Sequence, residues 1–247
     1  MWALAVAALA AAVDLGFWFR SGLTWRDFWR LRVCRVYSIL WHRCRANRRN
    51  PFPGEGPAIV VVNHTCSADP MFLLGWTNRP LSFVVAREHF HLSGLAHGIL
   101  TWLRCVPVTR GGHDAIAART ALRRLSEGCV LCIFPEGNLS GVVRNRLQPG
   151  RPGAALIALR SRAPVYPVYI AGGPRTEKLL RSWIYPSRVG VRVIFGRPVD
   201  LSSYYGRPIN RKTLEEVTAL FMRHIAALRP RTRADKAALS CQPKRLP

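Results

Sequence analysis

Negative charge is what this sequence has least of: 13 Asp and Glu stand against 37 Lys and Arg, for a net charge of +24 over 247 residues. That shortage excludes a charge-balanced surface and implies a polyanionic partner, whether nucleic acid, an anionic membrane surface or phosphorylated small molecules. Polar low-complexity blocks and internal repeats are also lacking, and 49 % hydrophobic residues suffice for a packed core. There is no second Cys pair and no His cluster to accompany Cys129-x-x-Cys132, so the seven cysteines predict neither a metal nor a redox centre. Their apolar neighbours, as in Cys129-Val-Leu-Cys132-Ile-Phe, predict reduced core residues in a cytosolic compartment. An unbroken apolar run of membrane-spanning length is missing too. Residues 1–19 come nearest, but Asp14 interrupts them, so a span competes with a surface helix. No basic stretch precedes that segment and a strongly basic one follows, which weighs against a secretory signal.

What is present begins with arginine. Residues 20–50 hold nine (20, 26, 30, 32, 35, 43, 45, 48 and 49) against the single acid Asp27, interleaved with aromatic and aliphatic residues. Trp29, Val33, Val36 and Leu40 recur at helical spacing and predict one apolar face. Trp at an interface, with Arg reaching anionic lipid, is the pattern of a helix in the headgroup region. A solvated helix with an ordinary core face fits the same spacing. Nucleic-acid binding is disfavoured, because that use predicts stacking aromatics within a basic sheet. Basic loops beside a hydrophobic segment place the remainder of the chain on the cytoplasmic face of the membrane, the bacterial inner membrane being the expectation.

Pro51, Pro53, Gly54, Gly56 and Pro57 mark a boundary. Three regions are expected: a membrane-anchoring helical segment at 1–50, an α/β domain at 51–228 and a basic, loose tail at 229–247. Within the second, apolar strand patterns at 58–62, 82–86, 106–108, 129–134, 165–170 and 189–195 alternate with helical ones at 93–103, 114–128, 151–160 and 211–228. That alternation predicts an α/β fold, a mainly parallel sheet flanked by helices.

Two loops carry chemistry. Asn63-His64-Thr65-Cys66-Ser67-Ala68-Asp69 follows the strand pattern at 58–62. A His at the carboxyl end of a buried strand stands where open α/β sheets place ligands. A compact turn would set the Asp69 carboxylate against its imidazole, fixing the tautomer and leaving the other nitrogen free to take a proton. An N-cap Asp beside an incidental His accounts for the spacing at least as well. Phe134-Pro135-Glu136-Gly137-Asn138 follows the strand pattern at 129–134. Its exposed N–H groups would suit a phosphate or an oxyanion, and a Pro-Gly loop with a solvated Glu fits equally.

Together these loops resemble the glycerolphospholipid acyltransferase family, which includes the 1-acylglycerol-3-phosphate acyltransferases. Asn63–Asp69 is similar to its Asn-His-x-x-x-x-Asp box and Phe134–Ser140 to its Phe-Pro-Glu-Gly-Thr-Arg-Ser box. Arg104–Arg110 looks like the segment ending in a phosphate-contacting Arg, and Ala163–Val168 like the fourth, Pro-containing box. All four occur in order over roughly residues 50–200. The resemblance implies acyl transfer from acyl-CoA or acyl-carrier protein to a hydroxyl of lysophosphatidic acid or a related lyso-lipid, without metal or other cofactor. It implies His64 as base and Asp69 as its orienting partner. Arg110 would bind phosphate, with Glu136, Gly137 and Asn138 shaping the acceptor site. One departure stands out: Asn138-Leu139-Ser140 replaces Thr-Arg-Ser. Arg144, Arg146 or Arg151 is expected to supply the missing charge; otherwise the acceptor lacks a phosphate there, as an amino-acid lipid does. Competing readings are a nucleophilic Cys66, a thioester hydrolase using the same base on water, and a basic membrane-binding protein without catalysis.

Overall fold

A computed structural model of the chain describes residues 16, 18–48, 52–109, 115–139, 147–174, 176 and 178–230. Of the expected anchoring segment at 1–50, the apolar run 1–19 lies outside them apart from Gly16, Trp18 and Phe19, and so does nearly all of the expected tail.

Helix α1 (Trp25–His42) leads into a short strand β1 (Arg45–Ala46). Strand β2 (Ala58–Val62), helix α2 (Asp69–Leu74), strand β3 (Leu81–Ala86), helix α3 (Gly94–Trp102) and strand β4 (Val106–Val108) follow. Next come helix α4 (Ala115–Ser126), strand β5 (Val130–Ile133), helix α5 (Gly153–Ser161) and strand β6 (Val165–Ala171). Helix α6 (Leu179–Ile184), strand β7 (Arg192–Phe195) and helix α7 (Arg211–Ala227) complete the order. The seven strands form one sheet in the order β1-β7-β6-β2-β5-β3-β4. Strands β6, β2, β5, β3 and β4 run parallel; β7 lies antiparallel to β6, and β1 parallel to β7.

The central strands are buried on both faces, as crossover connections require. Their residues alternate between two cores. Ala58, Val60 and Val62 of β2 pack with Cys132, Val168 and Ile170 beneath α1 and α2. Ile59 and Val61 face the other way, joining Leu131, Val165 and Tyr169 beneath α4, α5 and α7. The apolar pattern at 189–195 yields a strand only over Arg192–Phe195, and Val189 is exposed.

Helix α1 departs from the ordinary-core-face reading. Thr24 caps it, accepting the amide of Asp27, and Arg43 ends it in a left-handed conformation. The face turned to the sheet carries Asp27, Arg30, Ser38 and His42 among Phe28, Leu31 and Cys34. Each of these side chains has a partner, Arg30 through its terminal nitrogen while its Nε is buried without one among the described residues. Arg30 and Arg104 both bond the Asp27 carboxylate, the latter at 2.7 Å. The Ser38 hydroxyl donates to Met71 O at 3.0 Å. His42 lies between Ser187 Oγ at 2.8 Å and the Tyr37 hydroxyl at 3.0 Å. Burial pushes the His42 imidazole down to about 4, so it is held neutral. The stripe Trp29, Val33, Val36 and Leu40 is the exposed face, Leu40 at 75 %. Among the described residues no helix is long and apolar enough to cross a membrane.

Candidate active site

The site forms where β2 and β5 end side by side. These strands pair in parallel, Ala58 with Val130 through Val61 with Ile133, so their carboxyl ends emerge together. His64 leaves one end and Phe134-Pro135-Glu136 leaves the other. The imidazole stacks on the Phe134 ring with centroids 4.0 Å apart.

At the end of β2 the side chain of Asn63 takes over from the backbone. Its Nδ2 donates to Ile170 O at 3.0 Å, and its Oδ1 accepts the Ile170 amide at 2.7 Å. The ladder with β6 therefore continues by one rung while the main chain turns away. In that turn His64 Nδ1 lies 2.9 Å from Asp69 Oδ2. The same oxygen accepts the amides of Thr65 at 2.6 Å and Cys66 at 3.0 Å, and Oδ1 accepts the Thr65 hydroxyl at 2.7 Å. Asp69 opens α2 but does not cap it. Ala68 holds the cap position, and the carboxylate reaches back into the turn. A carboxylate only accepts, so Nδ1 carries the proton and Nε2 presents its lone pair. Asp69 is fully buried, the His64 side chain is 19 % exposed, and Nε2 has no partner among the described residues.

The Thr65 hydroxyl also explains Gly173. A Cβ there would come within 2.7 Å of Thr65 Oγ1, so only glycine lets the segment after β6 close over the turn.

Glu136 is a buried brace and not the solvated loop residue. Its Oε1 accepts the His64 amide at 2.9 Å, and its Oε2 accepts the Gln148 amide at 2.8 Å. Burial raises its pKa, opposed by those two amides. The expectation of a free N–H at Gly137 is corrected by the structure: that amide donates to Phe134 O at 3.0 Å, closing the turn on itself. Gly137 sits at φ +71°, and a Cβ on it would come within 2.8 Å of Arg151 Cδ and Nε. Arg151 thus lies against the glycine, and its amide donates to Pro135 O at 2.8 Å. Asn138 follows Gly137 and is half-buried. Arg110, Arg144 and Arg146 lie outside the described residues.

Cys66 is unsuited to nucleophilic attack. It is fully buried, and its thiol points at Asp69 Oδ1 from 3.5 Å. Burial first, and the Asp69 charge second, push its pKa well above the ordinary thiol value. Among the described residues, no group of three or more His, Cys, Asp or Glu side chains could hold a metal.

The structure thus joins His64, Asp69, Glu136 and Gly137 in one constellation. Asn63, Thr65, Phe134 and Gly173 belong to it as well. The sequence placed Asn63, Thr65 and Phe134 within the two boxes without a role of their own, and gave no sign of Gly173.

Comparison with known proteins agrees with this architecture. The crystal structure of the 1-acyl-sn-glycerophosphate (LPA) acyltransferase from Thermotoga maritima superposes with a TM-score of 0.59 over 90 % of each chain at 21 % identity, a likeness of fold. An uncharacterized protein of Mycobacterium tuberculosis (strain ATCC 25618 / H37Rv) is 30 % identical over 185 residues, 67 % of this chain and 46 % of its own. A probable 1-acyl-sn-glycerol-3-phosphate acyltransferase of Mycoplasma genitalium is 28 % identical over 160 residues, 60 % of this chain and 58 % of its own. The chain therefore spans about half the length of these relatives. The family model described as Acyltransferase matches residues 43–171, a stretch that begins at the end of α1, runs through both loops of the site and closes at the end of β6; the chain belongs to the acyltransferase family.

Proposed function

We propose that this protein transfers a fatty acyl group from a thioester donor, acyl-CoA or acyl-carrier protein, to a hydroxyl of lysophosphatidic acid or a related lyso-lipid. The observation that carries the reading is the orientation of His64, with Nδ1 on a fully buried carboxylate and Nε2 without a partner among the described residues, on a side chain that is 19 % exposed. Nε2 takes the proton of the acceptor hydroxyl as its oxygen attacks the thioester carbonyl. Asp69 stabilises the imidazolium so formed. The tetrahedral intermediate then expels the thiolate, which recovers the proton from His64 as a thiol. A thiolate leaves readily, so the step calls for neither metal nor cofactor. Similarity to the glycerophosphate acyltransferase of Thermotoga and the probable one of Mycoplasma favours a glycerol phosphate acceptor. Arg151 supports a phosphate acceptor too, as a guanidinium laid against Gly137 where Leu139 offers no charge.

The reaction is proposed to occur at an anionic membrane surface, on its cytoplasmic face. The exposed stripe Trp29, Val33, Val36 and Leu40, flanked by Arg26 and Arg32, supports contact with acyl chains and headgroups. An assay of thiol release with a panel of lyso-acceptors, run beside His64→Ala, tests the proposal. Release that depends on acceptor and disappears in the variant is expected. Release indifferent to acceptor would mean hydrolysis, and activity surviving in His64→Ala would remove the mechanism. Arg151→Met keeps the aliphatic stem and removes the charge; it is expected to raise KM for a phosphate acceptor about tenfold, since charge-assisted bonds contribute roughly 1.5–3 kcal/mol.

A further inference from the structure

The catalytic turn is held from outside as well as from within. Asp69 fixes the amides of Thr65 and Cys66, and Ala68 is fixed by accepting the amide of Met71 at 2.9 Å as α2 begins. Ser67 lies between these two anchors, and helix α6, 115 residues later in the chain, reaches it. The Trp183 indole N–H donates to Ser67 Oγ at 3.1 Å, and the buried Ser182 hydroxyl meets the same oxygen at 2.5 Å. Helix α6 is in turn held at its back by α1. The Tyr37 hydroxyl donates to Trp183 O at 2.9 Å, and the Trp41 indole to Ile184 O at 3.1 Å. A continuous chain of hydrogen bonds therefore runs from the helix with the exposed apolar stripe, through α6, to the apex of the turn.

We infer that Ser67 and Trp183 are positioning residues for the acyl-transfer reaction: their bond fixes the apex of the turn and with it the place of His64 Nε2. Neither touches the reacting atoms, and the inference rests on the catalytic reading of His64 given above. The turn is short, and His64 is joined to Ser67 through Thr65 and Cys66 alone. Freeing the apex lets the turn rock about the Asp69 carboxylate. The His64–Asp69 bond survives such motion, while the distance from Nε2 to a bound hydroxyl does not hold. Displacement of a base by about 1 Å is enough to cost up to roughly 100-fold in rate without weakening substrate binding. The signature is therefore a fall in kcat at constant KM.

The test measures kcat and KM for a lysophosphatidic acid acceptor and a long-chain acyl-CoA, using the full chain in detergent micelles. Ser67→Ala removes the acceptor, and Trp183→Phe removes only the N–H donor while keeping an aromatic ring. Ser67→Ala is expected to lower kcat about tenfold with KM within about twofold, Trp183→Phe to lower it less because Ser182 still bonds Ser67 Oγ, and Ser67→Thr, which keeps the hydroxyl, to recover most of the loss. Unchanged kcat in both Ser67→Ala and Trp183→Phe would overturn the inference. So would Ser67→Thr being as impaired as Ser67→Ala, which would mean that packing and not the hydrogen bond is lost. His64→Ala is run alongside: if it matches the wild type, the catalytic reading itself falls, a result distinct from unaffected Ser67 and Trp183 variants beside a dead His64→Ala.

Discussion

Replacing Asp69 by Asn removes one charge and almost no volume. The amide oxygen takes the place of Oδ2 and still accepts from His64 Nδ1 and from the amides of Thr65 and Cys66. The amide nitrogen then faces Thr65 Oγ1, which reverses its role and accepts. The amides of Thr65 and Cys66 keep their acceptor and only the weak Cys66 thiol contact is lost, so the fold is expected to survive, with a stability loss within about 1 kcal/mol. The imidazolium formed in the reaction, however, loses its counter-charge. Two unit charges about 4 Å apart at an effective dielectric of about 20 interact by roughly 4 kcal/mol. At about 1.4 kcal/mol per factor of ten, kcat falls on the order of 1000-fold. KM is expected to move little, since the counter-charge matters only once the acceptor hydroxyl has given up its proton. Thiol release under saturating donor and acceptor measures kcat, and a thermal melt checks the fold. An Asp69→Asn protein that is folded and keeps kcat within about threefold of wild type would refute the reasoning. Asp69→Ala provides the contrast, because it leaves the Thr65 and Cys66 amides unpaired and is expected to cost several kcal/mol of stability as well.

Other expectations concern the scaffold and the surface. His42 has a folded pKa of about 4, below its ordinary 6.5, so its neutral form contributes stability that is fully present above pH 6.5 and lost as the pH falls toward 4; about 3 kcal/mol should disappear across that window in pH-dependent melts, and His42→Asn should flatten the loss. Gly137→Ala should destabilise by about 1–2 kcal/mol, because of its positive φ and its contact with Arg151, and should raise acceptor KM together with the melting penalty. Trp29→Ser combined with Leu40→Ser should leave the melting temperature within a few degrees of wild type while abolishing co-sedimentation with phosphatidylglycerol vesicles; binding that persists would place the lipid contact elsewhere.

Much of the architecture is written locally. Ala58–Val62 and Val130–Ile133 are short, wholly apolar runs bounded by breakers, and such runs belong in the middle of a parallel sheet. The antiparallel placement of β7 was not legible, because strand partners are chosen by long-range packing that no local pattern carries. Helix α1 shows what periodicity leaves open. Trp29, Val33, Val36 and Leu40 recur as a core face does, yet the buried side is the one with Asp27, Arg30, Ser38 and His42. Which stripe faces inward depends on partners such as Ser187 and Arg104, far away in sequence. In the site, His64 and Asp69 were legible from spacing and box order. Glu136 was legible as a residue of the loop but not as the brace of the His64 amide, which exists only because β2 and β5 are neighbours. Trp183 gave no signal at all, since nothing near it in sequence marks a group that reaches Ser67.

The side chain of Asn63, at the end of the central strand, has a counterpart at one edge of the sheet, where Asn47 after β1 brackets the amide and carbonyl of Phe195 in the same way, at 2.9 and 3.0 Å. In both places a carboxamide stands in for a peptide group, so the partner strand runs on as though its neighbour had not stopped. At β2 this substitution sets the amides beyond it free. Thr65 and Cys66, no longer owed to the sheet, donate to Asp69 instead. The catalytic turn is thus composed of backbone released from sheet pairing, and its geometry is insulated from the register of the strands below. Changes of core residues along β2 can shift the strand's packing and leave the turn's own bonding pattern intact, provided the carboxamide at its edge is kept.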